Sequence, residues 1–170
     1  IITYNYTFSN PNGVKLTAKW AKPNEITRKT YNENTYIMFD EATTWESAKK
    51  YCEEIGGHLA TVTDASEWAF VSEFVKTSGD NDRYYLGASD SENEGEWKWV
   101  TGEPFNFTAW STGNPDNSSY IQDYLHIWYG KTNPSWDDIQ PIYNLAGFIC
   151  EIENLTPTSS MIYNGHLYQM

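Results

Sequence analysis

Two stretches of this chain carry complete helix punctuation, and the rest must fold around them. Thr43 with Glu46 three positions on forms a capping box. Trp45, Ala48, Cys52 and Ile55 then recur on one stripe, and Gly56-Gly57 ends the run. The second stretch repeats the grammar, with Asp64 as cap, Glu67 at the third helical position, and Trp68, Val71, Phe74 and Val75 facing inward until Gly79. Between them, residues 58–62 are short and extended. Alternating or apolar runs at 36–39, 84–88, 97–100, 124–129 and 145–152 read as strands. The fold class is therefore α+β.

The strands are separated unevenly. Residues 101–123 are rich in Gly, Asn, Pro and Ser, and a second Pro- and Asp-rich loop precedes the last strand. Loops this long inside a compact domain either carry function or mean misassigned elements, and here they are read as functional. Charge points the same way. Of 23 acidic and 11 basic residues, 11 acids and three bases fall within residues 80–140. Such concentrated like charge needs solvation or cations. The net charge of −12 argues against nucleic acid and anionic membrane surfaces as partners. No apolar run approaches the ~20 residues of a membrane span. Aromatic residues reach 16% against 20% charged, which argues against disorder and is common in extracellular β-rich domains and in carbohydrate-binding proteins, although for most single rings a place in the core is explanation enough.

Three segments divide the 170 residues. Residues 1–30 are extended: Tyr4, Tyr6 and Phe8 alternate with polar residues, Pro11-Asn12-Gly13 marks a turn, and a second strand ends at Trp20 before a polar connector. Residues 31–153 form the compact domain. Residues 154–170 read as a linker followed by an echo, since 163–170 (YNGHLYQM) matches 31–38 (YNENTYIM) at four of eight positions. That echo is either the start of a second copy or a chance likeness in a Tyr- and Asn-rich chain. Cys52 and Cys150, 98 positions apart, are either two free thiols or one disulfide. The opening residues lack the basic and apolar regions of a signal peptide.

Six ordered blocks carry a resemblance: WESAKKYCEEIGGHLATV (45–62), YLGASD (85–90), EGEWKWVTG (94–102), FTAWSTGNPDN (107–117), SWDD (135–138) and GFICE (147–151). The compact domain resembles the C-type lectin-like domain. That implies two helices, two small antiparallel sheets and a long loop region holding calcium and ligand. It also implies a Cys52–Cys150 disulfide. The segment GVKLTAKW (13–20) resembles repeats of bacterial cell-surface proteins, which suggests a module of a bacterial adhesin, extracellular or on the cell surface.

Calcium takes six to eight oxygens at about 2.3–2.6 Å. Asn114-Pro115-Asp116 offers two oxygen-bearing side chains around a proline that is cis in the family, and Asp137-Asp138 offers two more. Carried over by position, the principal calcium site is Asn114, Asp116, Gln122, Asp137 and Asp138. An auxiliary site is Asp90, Glu94, Asn117 and Asp123. The chain departs from the family pattern at Asn114, Gln122 and Asp137, yet Asp116, Asp137 and Asp138 keep the formal charge at −3. In the family, sugar hydroxyls join the principal calcium while bonding to its ligands, here Asn114, Asp116 and Asp137. The amide-then-acid order of Asn114 and Asp116 matches the galactose-type pattern. Tyr120, Trp128 and Tyr129 are candidate rings for the apolar sugar face. Tyr124 stands where the family's second disulfide has a cysteine. The implied function is calcium-dependent glycan binding; the alternative is a calcium-independent protein-binding or structural module. Catalysis is not expected, because His58, His126 and His166 form no triad and the paired Asp residues suit metal better than acid and base.

Overall fold

The computed structural model describes residues 3–9, 15–21, 25–78, 83–128, 132–140, 147–153, 160–163 and 166–169. Strands β1 (Thr3–Ser9) and β2 (Lys15–Ala21) pair antiparallel as an isolated hairpin, matching the alternation read in the sequence. The turn assigned to Pro11-Asn12-Gly13 lies outside the described residues. Strand β3 (Glu25–Tyr31) was not anticipated: part of the expected connector and the residues before Tyr31 pair with β4 (Asn34–Phe39) at the edge of the main sheet. Arg28, Lys29 and Thr30 are exposed, so this strand lacks the apolar alternation that would have marked it. Charged side chains on an edge also discourage pairing with other chains.

Helix α1 (Trp45–Glu54) buries Trp45, Ala48 and Cys52 on the expected stripe. Its cap is Thr44, one residue later than the capping box placed it: the Thr44 hydroxyl accepts from the Ser47 amide at 3.3 Å. Gly56 follows at φ +86°, the left-handed step that closes the helix. After β5 (His58–Leu59), helix α2 (Ala65–Ser78) is capped as expected, with Asp64 Oδ1 accepting from Ser66 N at 2.7 Å and Glu67 N at 2.9 Å. The stop assigned to Gly79 lies outside the described residues. There follow β6 (Arg83–Ser89), β7 (Lys98–Trp99), a single 3-10 turn at Ser118–Tyr120, β8 (Tyr124–Trp128), β9 (Ser135–Ile139) and β10 (Phe148–Ile152). A last hairpin joins β11 (Ser160–Tyr163) to β12 (His166–Gln169).

The central strands form one mixed sheet where two small antiparallel ones were expected. Its order is β3-β4-β10-β6-β8-β9, with β5 on β10 and β7 on β6, and the β10–β6 pair is parallel. Both faces are covered. On β4, Tyr36 and Met38 pack with Val71, Phe74 and Val75 of α2, while Ile37 and Phe39 pack with Trp45, Ala48 and Cys52 of α1. The two-residue period of a strand thus sends alternate side chains to opposite helices, which is why β4 and β6 read as continuous apolar runs. Gly87 is required where β6 meets β5, because a Cβ there would collide with the Leu59 carbonyl oxygen.

Cys52 and Cys150 are both buried in the α1 cluster, but as free thiols and not as the implied disulfide. Burial pushes the Cys52 thiol far up, followed by a hydrogen bond with its neighbour Cys150.

The β3–β4 turn places two non-glycine residues in the left-handed region, Asn32 at φ 45° and Glu33 at φ 70°. Asn tolerates this; Glu does not, at about 1–2 kcal/mol. Glu33→Gly removes that strain and adds back backbone entropy, so a net stabilisation of up to ~1 kcal/mol is expected from urea unfolding. A destabilised variant would contradict the assignment of this turn.

Candidate metal and ligand site

The site is organised by Trp136. This residue is fully buried in β9, and the rings of Trp68, Trp99, Phe105, Phe107 and Trp110 surround it with centroids 5.6–6.0 Å away. Its backbone is also the anchor of the long loop. Trp136 N donates to Ala109 O at 2.8 Å, and Ser111 N donates to Trp136 O at 2.9 Å. The loop therefore starts from a fixed point on the strand whose next two residues are Asp137 and Asp138. From there Gly113, at φ +97°, turns the chain, and Asn114 N closes the turn on Ser111 O at 3.0 Å. The Asn114–Pro115 peptide is cis, as the resemblance implied.

The five residues of the principal set come together. The Asn114 amide donates to Asp137 Oδ1 and, at 2.9 Å, to Ser111 Oγ. Asp138 Oδ1 accepts from Asp116 N at 3.0 Å, and Oδ2 accepts from Asn117 N at 2.6 Å. Gln122 Nε2 donates to the Asp138 carbonyl at 2.9 Å, and Gln122 N donates to Asn117 Oδ1 at 3.1 Å. Asp116 Oδ1 accepts from Ser118 N at 3.0 Å. The loop is thus bonded at several points to one strand.

Electrostatics shows what this arrangement lacks. Asp138 is 1% exposed, and burial holds its carboxyl above the ordinary range, although the amides of Asp116, Asn117 and Asp138 itself pull it down; Asp137 pushes it up again. Burying a carboxylate carries a penalty of several kcal/mol. Charge-assisted hydrogen bonds return roughly 1.5–3 kcal/mol each. The raised direction has burial as its largest cause, ahead of the amides that oppose it.

Asp90 repeats the pattern in the auxiliary set. It is 3% exposed; Oδ2 accepts from Gly95 N at 2.9 Å, while Oδ1 is buried without a partner. Its carboxyl is raised by burial first, against the lowering hydrogen bond from Gly95, and then by the charges of Asp123 and Asp138. Glu94 is raised by loss of water and then by Asp90, Asp123 and Asp138. Asp90 N donates to Asp123 O at 3.2 Å. Three of the four auxiliary residues therefore share one field. Asn117 is instead bonded to Asp138 and Gln122.

An orphaned buried carboxylate oxygen and a set of hard oxygen donors fit a calcium-type cation. Convergence is incomplete, since no three His, Cys, Asp or Glu side chains among the described residues are grouped to hold a metal. The oxygens of the principal set face N–H groups, and Asn114 presents Nδ2 to Asp137; a half-turn of that amide would put Oδ1 in its place.

Tyr120 is 90% exposed on the 3-10 turn beside Asn117, at φ 59°. Trp128 is half-buried further along β8, with the Arg83 guanidinium 5.8 Å from its ring centroid. Tyr129 lies outside the described residues. Tyr124 replaces the missing cysteine by packing: its ring stacks on Trp45 at 4.7 Å and its hydroxyl donates to Glu46 at 3.1 Å.

Two features went unread in the sequence. His126, buried in β8, donates from Nδ1 to Ile127 O and faces Asp137 Oδ2 with Nε2 at 3.5 Å, an ion pair only when the ring is doubly protonated. Register, not sequence proximity, makes this pair, since His126 stands opposite Asp137. Elsewhere, the Tyr36 hydroxyl lies 2.6 Å from Glu67 and 2.7 Å from Glu151, tying α2 and β10 to β4. Asn34 Nδ2 also donates to Glu151, at 2.8 Å.

Comparison with known proteins adds the following. The family model described as the lectin C-type domain matches residues 41–152. The chain is 35% identical over 117 residues to perlucin of Haliotis laevigata, covering 69% of this chain and 75% of that protein. It is 32% identical over 124 residues to a perlucin-like protein of Mytilus galloprovincialis, covering 72% and 78%. In structure it is similar to the carbohydrate-recognition domain of the mouse scavenger receptor C-type lectin, with a TM-score of 0.65, 29% identity, and coverage of 74% of this chain and 93% of that one. The C-type lectin CEL-I of Cucumaria echinata gives a TM-score of 0.67 at 26% identity, covering 73% and 93%. These relatives are animal proteins, and nothing among them supports the bacterial origin suggested by residues 13–20.

Burial raises the Glu151 carboxyl above the ordinary carboxyl range, opposed by hydrogen bonds from Tyr36 and Asn34 and the charge of His58, and reinforced by Glu67. A raised acid holds its proton more tightly in the folded state. Its contribution is full below the unfolded value and is lost as pH rises through the folded one. In chelator, Glu151→Gln should therefore lose less melting temperature than the unsubstituted protein as pH rises above the ordinary carboxyl range. Parallel curves would contradict the burial argument.

Proposed function

The chain belongs to the C-type lectin domain family, and from that premise we propose that it binds glycans through loop-held calcium in an extracellular or cell-surface protein. The coarser statement is not in question: this is a C-type lectin carbohydrate-recognition domain, and the family consists of binding domains, not enzymes. The finer reading rests on one observation, the bonding of the Asn114–cis-Pro115–Asp116 segment to Asp137 and Asp138 from a different part of the chain.

Asn114, Asp116, Gln122, Asp137 and Asp138 would hold the principal calcium, and Asp90, Glu94 and Asp123, with Asn117, an auxiliary one. Bound at the principal set, calcium supplies coordination positions for a vicinal pair of sugar hydroxyls. Asn114 offers N–H donors and Asp116 and Asp137 offer carboxylate acceptors to the same hydroxyls. Their amide-then-acid order favours galactose-type ligands, and the exposed Tyr120 ring offers a flat surface to an apolar sugar face. In an oxidising compartment Cys52 and Cys150, already neighbours, would close a disulfide worth roughly 4–5 kcal/mol in the chain-entropy model.

A second reading has its own support. Asp138 already satisfies both carboxylate oxygens with backbone amides, so the loop is organised by the chain alone. That favours calcium-independent recognition of a protein.

Two measurements separate these. Calcium at millimolar concentration should raise the melting temperature of chelator-stripped protein, and Asp138→Asn should abolish most of the shift. A glycan array should show galactose-type binding that chelator removes. Binding unchanged by chelator, with no thermal shift, would favour the second reading; mannose-only binding would overturn the ligand class.

A further inference from the structure

The final hairpin, β11–β12, forms a two-stranded sheet of its own. Its pairs are Tyr163↔His166, Ile162↔Leu167, Met161↔Tyr168 and Ser160↔Gln169. Moved back by 132 positions, they fall on Tyr31↔Asn34, Thr30↔Thr35, Lys29↔Tyr36 and Arg28↔Ile37, which are the pairs of β3–β4. The same offset carries the sequence echo, in which Tyr31, Asn32, Tyr36 and Met38 recur as Tyr163, Asn164, Tyr168 and Met170. Backbone register and side-chain identity thus agree on one period. The two residues between the strands agree as well. Asn32-Glu33 becomes Asn164-Gly165, and Asn-Gly is the strongest short-range hairpin signal.

The recurring residues are those that fasten β4 into its fold. Tyr31 stacks on Phe70 of α2 with centroids 4.7 Å apart, the Tyr36 hydroxyl joins Glu67 of α2 to Glu151 of β10, and Met38 is fully buried. Those docking positions on α2 and β10 are already taken by β3–β4. A two-stranded hairpin alone is marginally stable in water. A hairpin that repeats the pattern of β3–β4 therefore needs a second helix and a second sheet of the same kind.

We infer that β11–β12 is the opening hairpin of a second lectin unit that follows in the same polypeptide and supplies those elements. The 132-residue period accommodates one unit of the length of residues 31–153 and a short linker. The protein is then a tandem array with one loop site per unit. Where each site holds sugar, which rests on the glycan reading above, two linked sites on one surface gain about 10²–10⁴-fold in avidity without a new contact.

The first test is the coding sequence beyond Met170. The expected result is a Trp-x-x-Ala-x-x-x-Cys run closed by Gly-Gly, and later a Gly-Phe-x-Cys-Glu strand, each at the 132-residue offset from its counterpart here. A stop codon or an unrelated sequence overturns the inference. A second test uses the 170-residue chain in sedimentation. It should be monomeric with or without residues 154–170; a dimer lost on their deletion would mean that the hairpin docks on another copy instead. With a second unit present, equal dissociation of one- and two-unit proteins from a galactose-bearing surface would count against the glycan reading and leave the tandem array standing.

Discussion

Everything at the loop depends on Asp138 being buried and accepting two backbone amides from a segment more than twenty residues earlier in the chain. A loop as long as this one loses much conformational entropy when ordered, on the order of 1–2 kcal/mol for each backbone residue fixed. Apolar packing around Trp136 fixes the start of the loop, and Asp138 fixes its far end. Between those points the cis peptide and the left-handed residues Asn117, Ser119 and Tyr120 give the chain a path that ordinary φ values would not. Removing the acid would free both amides at once.

That anchoring places a buried acid beside other acids. Asp90, Glu94 and Asp138 are all held above their ordinary carboxyl range, with loss of water as the first cause and neighbouring acids adding to it. Next to Asp138, Asp137 faces the His126 ring at 3.5 Å, an ion pair only when that ring is doubly protonated. Within this acidic group one carboxylate oxygen of Asp90 is buried without a hydrogen-bond partner.

Much of this was legible beforehand. Helices α1 and α2 were readable because capping residues, a stripe of apolar side chains and terminal glycines agree; even there the cap of α1 fell one residue late, since Thr43 and Thr44 satisfy the same rule. Asn114-Pro115-Asp116 and Asp137-Asp138 were readable as oxygen donors through a resemblance whose blocks occur in order. Strand β9 was harder to see because two of its five residues are acids, which strands usually avoid, and it was read as part of the Pro- and Asp-rich loop. Strand β3 was missed for its polar edge. His126 and the Tyr36–Glu67–Glu151 junction were invisible for a different reason: each is made by register between distant strands, which local pattern does not carry. The disulfide was inferred from kinship, and the buried neighbouring thiols stand where it would form.

The most direct measurement is residue-resolved amide exchange in calcium-free buffer. If the loop is held by Asp138, the amides of Asp116 and Asn117 exchange slowly, and Asp138→Ala releases both while α1 and α2 stay protected. Fast exchange at those two amides in the unsubstituted protein would mean that the oxygens do not meet without an ion, and the strand-anchored loop would have to be abandoned.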